Sequence, residues 1–256
     1  MAFNLSSISK AGTRKSPPVR KVIYGTAGVG KTTFATRAPN SIVIPVEDGL
    51  AAISDVDAFP LAKSFEDVLE AVGELATEDH GYQNVVLDSA DWCEKLMEQV
   101  VAKDHGLKEF NLQAKELAYG RGNKAVGDKW RMLLEGFDVL RNEREMGVTI
   151  VAHSQVKRFD DPTTDAYDRY LLDLNKESAA VVSEWADMIL FAGFRITVKA
   201  EEVGIGTKKK RGLSDGSRYL YTQERPAWIA KSRWALPESM ELDYEKFAAA
   251  LAAAQA

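Results

Sequence analysis

The chain has 256 residues, 45% of them hydrophobic, which is enough for one well-buried core. Its formal net charge of −5 excludes a globally basic nucleic-acid coat, so any contact with DNA or RNA must come from a local patch. Cys93 is the single cysteine, which excludes a disulfide framework and a cysteine-rich zinc site, and no apolar run approaches the roughly 20 residues needed to cross a bilayer.

Residues 1–19 read as a flexible arm ending at Pro17 and Pro18, without the apolar stretch of a secretory signal. Val19–Tyr24 predicts a short strand that runs into a glycine-rich segment and a helix over Lys31–Arg37, stopped by Ala38-Pro39-Asn40. Ser41–Val46 predicts a second strand that ends early, or lies where a ladder bond is dispensable, because of Pro45. Ser64–Thr77 predicts an amphipathic helix, with Ser64 as N-cap, Asp67 three residues on, and Phe65, Val68, Leu69 and Val72 on one face. Asn84–Asp88 is a third strand, and Cys93, Leu96, Met97 and Val100 mark the next helix. Tyr119-Gly120-Arg121-Gly122 reads as a break before a longer helix that carries Val126, Trp130, Leu133 and Phe137. Val148–Ala152 and Met188–Ala192 are the fourth and fifth strands. Beyond Gly193 the pattern changes. Arg195–Lys199 and Tyr219–Gln223 read as the arms of a hairpin (about 195–223) around a Gly/Lys-rich tip, then Ala227–Ala230 as a short strand and Asp243–Ala254 as a terminal helix. Strands alternating with helices predict an α/β fold over 20–256, a mostly parallel sheet with helices on both faces and a C-terminal β-hairpin extension.

Gly25-Thr26-Ala27-Gly28-Val29-Gly30-Lys31-Thr32 matches the phosphate-binding loop G-x-x-x-x-G-K-[ST], with Thr33 next in the helix. The glycines let successive N–H groups turn toward phosphate oxygens, Lys31 brings a charge to the β/γ-phosphates, and Thr32 offers its hydroxyl to Mg²⁺. The helix that starts there directs its positive end at the same phosphates. Val85-Val86-Leu87-Asp88 fits the apolar strand that delivers a carboxylate to the magnesium. The GTP-selecting pattern Asn-Lys-x-Asp is absent, the nearest fragment being Asn175-Lys176-Glu177-Ser178, so ATP is the expected nucleotide. Hydrolysis needs a second carboxylate near the γ-phosphate, and Glu47 and Asp48 follow directly on the second strand. His153-Ser154-Gln155 follows the fourth strand, and either His153 or Gln155 is placed to sense the γ-phosphate.

The order of these motifs resembles the RecA-like ATPase core. Ala230-Lys231-Ser232-Arg233 resembles the RecA-type segment in which two basic residues, one apart, follow a late strand. The resemblance implies that Lys231 and Arg233 reach a neighbour's γ-phosphate in trans, and that Glu47 is the catalytic base. More narrowly, the chain is similar to compact phage-type ATPases related to RecA, one branch of which is the Sak-type single-strand annealing proteins. That similarity rests on the position of the phosphate loop, on Tyr119–Gly122 before a long helix and on the Lys231/Arg233 close. It implies an ATP- and Mg²⁺-dependent ATPase that binds single-stranded DNA and promotes annealing or strand exchange in homologous recombination. A homo-oligomeric ring or filament, a single-strand-binding protein as a further partner, no membrane, and a cytoplasmic location (the host's, if phage-encoded) go with it. No segment reads as the extra N- and C-terminal domains of full-length RecA, so annealing is expected over strand invasion. The competing reading is an ATP-driven loader or packaging motor, or a nucleotide-binding scaffold with little turnover.

Three segments are candidates for DNA contact. Gln155–Leu172 reads as a long connection that carries Lys157, Arg158 and Arg169 with Phe159, Tyr167 and Tyr170 interleaved, which suits phosphate neutralisation plus base stacking; Asp160, Asp161, Asp165 and Asp168 oppose that charge. Lys208-Lys209-Lys210-Arg211, with Lys199 and Arg218 nearby, forms a basic run between Gly206 and Gly212 at the expected hairpin tip. Tyr119–Lys129 is the third, or alternatively a segment that closes over the nucleotide.

Overall fold

A computed structural model describes residues 17–202 and 208–255. Residues 1–16 of the expected arm and 203–207 of the expected hairpin tip lie outside the described residues. The strands are β1 (Arg20–Gly25), β2 (Ser41–Pro45), β3 (Asp57–Ala58), β4 (Asn84–Asp88), β5 (Gly147–Phe159), β6 (Tyr167–Leu172), β7 (Met188–Glu202), β8 (Lys208–Tyr221), β9 (Lys231–Ser232) and β10 (Ser239–Glu241). The helices are α1 (Lys31–Thr36), α2 (Phe65–Thr77), α3 (Ala90–Asp104), α4 (Arg121–Glu143), α5 (Lys176–Trp185) and α6 (Tyr244–Gln255).

The strand order across the sheet is β10-β8-β7-β1-β5-β4-β2-β3. From β3 to β7 the neighbours run parallel, and β8 and β10 add antiparallel strands at one side. The fold is therefore the α/β sheet with an antiparallel C-terminal extension that the sequence predicts. The phosphate-loop strand β1 is central, and β5 separates it from the acid-bearing strand β4.

Side-chain alternation explains why these strands read as unbroken apolar runs, since both faces of the sheet are covered. Val22 and Tyr24 of β1 point into one core with Val68 and Val72 of α2, Met97 of α3 and Trp130 and Phe137 of α4. Ile23, between them, enters the opposite core with Phe34 of α1 and Phe247 of α6. Ser64 caps α2 in a reciprocal box with Asp67, as its spacing predicts. Pro45 costs little at the end of β2, because the next residues take over the ladder. Val46 N–H donates to the Asp88 carbonyl at 2.6 Å.

Several expectations need correction. Gln155–Leu172 is not a long connection: β5 continues to Phe159 and turns into β6, which pairs with it from Ser154↔Leu172 to Phe159↔Tyr167. The fifth strand and the first hairpin arm are one element, β7, and its partner β8 begins at Lys208. Lys208–Arg211 thus lie along β8, in register with Lys199–Glu202. Ala227–Ala230 is not a strand; Trp228 makes isolated bridges to Tyr170 and Arg225, and the pairing segment is Lys231–Ser232.

Candidate phosphate-binding site

The C-terminal ends of β1, β2, β4 and β5 open into one cleft of about 350 Å³. It is lined by Ala27, Gly28, Gly30, Lys31, Thr32, Thr33, Glu47, Gly49, Ile53, Asp88, Val151, His153 and Arg218. The loop takes its shape from its glycines. Gly28 and Gly30 hold left-handed backbone at φ 73° and 101°, conformations that cost an L-residue with a side chain about 1–2 kcal/mol. At Gly25 the constraint is contact, since a Cβ there would lie 2.0 Å from the Ala192 carbonyl oxygen.

Lys31 is buried, and its Nζ donates to the carbonyls of Gly25 and Thr26 at 3.0 Å each. Burial lowers its pKa, against the pull of Asp88, Asp91 and Glu47. Thr32 Oγ1 donates to Asp88 Oδ2 at 2.8 Å, so the two expected magnesium ligands, from α1 and β4, converge on one point. Burial raises the Asp88 pKa, the environment in which a cation would be welcome. One carboxylate and one hydroxyl are a small donor set, and among the described residues no cluster of three or more acidic, His or Cys side chains could hold a metal. That fits Mg²⁺, which keeps several waters and shares its shell with nucleotide phosphates.

Glu47 emerges from the end of β2 into this cleft and accepts from Ser89 Oγ at 3.2 Å. Asp48, the other candidate, is exposed outside it. His153 ends the sheet portion of β5. Its Nδ1 lies 3.1 Å from both oxygens of Asp91, its backbone N–H donates to Asp91 Oδ1 at 3.1 Å, and Glu47 Oε2 is 4.0 Å from Nδ1. The hydrogen bond to Asp91 raises the His153 pKa, and burial opposes it. Burial would raise the Asp91 pKa, but the bonds from His153 bring it below the usual carboxylate value. Gln155 is not part of the cleft; its Nε2 donates to the carbonyls of Leu172 and Leu174 at 2.8 and 3.0 Å and fixes the root of the β5–β6 ribbon. Of the two sensor candidates, the geometry retains His153.

Lys231 and Arg233 lie at the other end of the sheet. β9 pairs with Met188 and Ile189, where β7 begins. Arg233 Nε contacts Asp187 Oδ1 at 2.9 Å, in a network with Arg20 and Arg141, and its side chain is 61% exposed. Lys231 Nζ donates to the Ser183 carbonyl. Neither side chain lines its own chain's cleft.

The DNA candidates divide. Lys157 and Arg158 are exposed on the β5–β6 ribbon. Arg169 is corrected: it is buried, pairs with Glu224, and stacks over Phe159 with 5.2 Å between guanidinium and ring. Its burial and its pairing with Glu224 take it out of reach of a solvent-borne backbone. Lys208, Lys209, Lys210 and Arg211 have the backbone placement given above. Arg121, Lys124 and Lys129 lie on α4, and Lys129 pairs with Asp104 at 3.0 Å.

Two residues escape sequence reasoning, Arg218 in the cleft wall and Asp91 behind His153. Asp91 is three residues past Asp88 on the first turn of α3, and its spacing offers a signal only once β5 is known to lie beside it. Arg218 reads as one of the hairpin's basic residues, and nothing local ties it to the phosphate loop.

A family model described as an AAA domain matches residues 17–234. The chain is similar to a solved structure titled the RadB recombinase, with 13% identity over 80% of each chain and a TM-score of 0.42. No curated protein matches.

Proposed function

The chain belongs to the AAA-domain family, and from that premise we propose that it is a RecA-like ATPase that binds single-stranded DNA and promotes annealing or strand exchange. The observation that carries the nucleotide part is the convergence of Lys31, Thr32, Asp88, Glu47 and His153 on one cleft. The glycine loop cradles the phosphates, and Lys31 exchanges its two loop carbonyls for phosphate oxygens. Thr32 and Asp88 would hold Mg²⁺, which when bound would supply positive charge beside the phosphoryl oxygens. Glu47 orients and deprotonates water, with Ser89 fixing its carboxylate. His153 Nδ1 is committed to Asp91, so Nε2 is the atom left to meet the γ-phosphate.

The DNA part is supported by the course of β5. His153 sits at its cleft end, and Lys157 and Arg158 follow four and five residues later on the same strand, about 13–17 Å away at the usual strand rise. Movement of His153 between nucleotide states would shift the ribbon. Lys231 and Arg233, distant from their own cleft, are assigned to a neighbour's cleft in a head-to-tail ring or filament. A loader of the lidded type is less well supported, because the segment after β7 forms strands β8, β9 and β10 where such proteins carry a helical lid.

The test is ATP turnover with and without single-stranded or duplex DNA, at two salt concentrations, with Lys31→Ala as control. Single strands are expected to raise turnover at least severalfold, less so at high salt, with Lys31→Ala inactive throughout. Turnover that ignores DNA, with no salt-sensitive binding, would remove the DNA reading and leave the ATPase.

A further inference from the structure

Arg218 is an exposed cation in the wall of the phosphate cleft that the mechanism above does not use. It sits on β8 opposite Phe194 of β7 and turns toward the face of the sheet that carries α1. Its Nη1 is 3.2 Å from where a Cβ on Gly30 would be, so the missing side chain at Gly30 makes room for the guanidinium as well as for a phosphate. The backbone beneath is fixed, since the Arg218 carbonyl accepts from Leu242 N–H at 2.9 Å. Arg20, Arg169, Arg225 and Arg233 all reach a carboxylate. The Arg218 guanidinium makes no hydrogen bond or ion pair with a described residue. An unpaired guanidinium near Lys31 adds positive charge on positive charge, an arrangement that an anion would relieve.

We propose that Arg218 is a nucleotide-binding residue, acting within its own subunit on the phosphates that ATP and ADP share. The sheet order gives the choice of phosphate. Glu47, Asp88 and His153 come from β2, β4 and β5, on one flank of the loop strand; Arg218 comes from β8, beyond β7 on the other. The groups for hydrolysis therefore mark the γ-phosphate flank, and Arg218 stands on the flank of the α- and β-phosphates. A bidentate fork suits such oxygens better than a lysine's point charge does. This inference rests on the reading of Gly25–Thr32 as the nucleotide site.

The test compares wild type, Arg218→Ala, Arg218→Lys and Lys31→Ala in equilibrium binding of fluorescent ATP and ADP analogues, followed by steady-state ATPase. The side chain is exposed and unbonded, so thermal unfolding of Arg218→Ala should match wild type. Arg218→Ala is expected to weaken ATP and ADP alike by about tenfold. It should raise KM with kcat within about twofold, and Arg218→Lys should recover part of the loss. Unchanged affinity for both nucleotides would overturn the proposal, and a loss confined to ATP would overturn its placement at the shared phosphates. A wild-type chain that binds neither nucleotide would overturn the underlying reading of the loop, and this inference with it.

Discussion

Asp91 holds His153 from two directions, through the backbone N–H and through Nδ1. That double hold fixes the ring's rotation and tautomer, the role an orienting carboxylate has beside a reactive imidazole. It also sets the direction of the proton linkage. The folded pKa of His153 is raised, so the pair's stabilisation is complete below the unfolded value of about 6.5 and is lost as pH climbs through the folded value. Asp91→Asn should lower the His153 pKa in an NMR titration, because the hydrogen bond that raises it is lost. An unchanged titration would mean that Asp91 does not govern the ring. Lys31, Thr32, Asp88 and Glu47 were legible in the sequence because each sits at a strand end or in a contiguous motif, and His153 only as one of two candidates with Gln155. Asp91 and Arg218 were not, because their roles depend on which strands become neighbours.

Among the elements, β1 and β5 tie the two ends of the molecule together. β1 begins in the Arg20–Asp187 ion-pair network and ends at Gly25 in the phosphate loop. Between them, Lys21 is 5% exposed and makes no ion pair with a described residue; burial pushes its pKa down to about 8. Because the folded pKa lies below the unfolded one, stability rises with pH between about 8 and 10.5, and below that window the desolvation cost is felt in full. Lys21→Met should therefore raise unfolding stability at pH 7 by about 1–3 kcal/mol and flatten that rise. Denaturant titrations at pH 7 and 10 check this, and a destabilised variant would contradict it. The covered core strands were readable as apolar runs, whereas the β5–β6 ribbon was not. Its outer half, Val156–Phe159, is exposed and buries no face, so it carries no apolar alternation to betray a strand. Helix α5 was missed for a different reason. Its N-cap Asn175, which accepts from Glu177 and Ser178 N–H, lies in a fragment that also reads as an incomplete nucleotide-selecting motif.

At the scale of the whole molecule, the sheet has a cleft end and an ion-pair end. Glu47, Asp88, His153 and Arg218 gather at the first. Arg233, Arg20 and Arg141 gather around Asp187 at the second, where burial would raise that carboxylate's pKa but the Arg20 bonds hold it low. Stacked head to tail, the second end of one copy would face the first end of the next, the geometry in which a basic pair completes a neighbour's site. Everything above this scale depends on the cleft turning over ATP. The direct measurement is ATP binding and hydrolysis by wild type, Lys31→Ala and Glu47→Gln side by side. Wild type is expected to hydrolyse ATP, Lys31→Ala to lose binding, and Glu47→Gln to keep wild-type affinity while turnover falls by about a hundredfold or more. Wild-type turnover in Glu47→Gln, or a wild-type protein that binds ATP without hydrolysing it, would contradict that expectation.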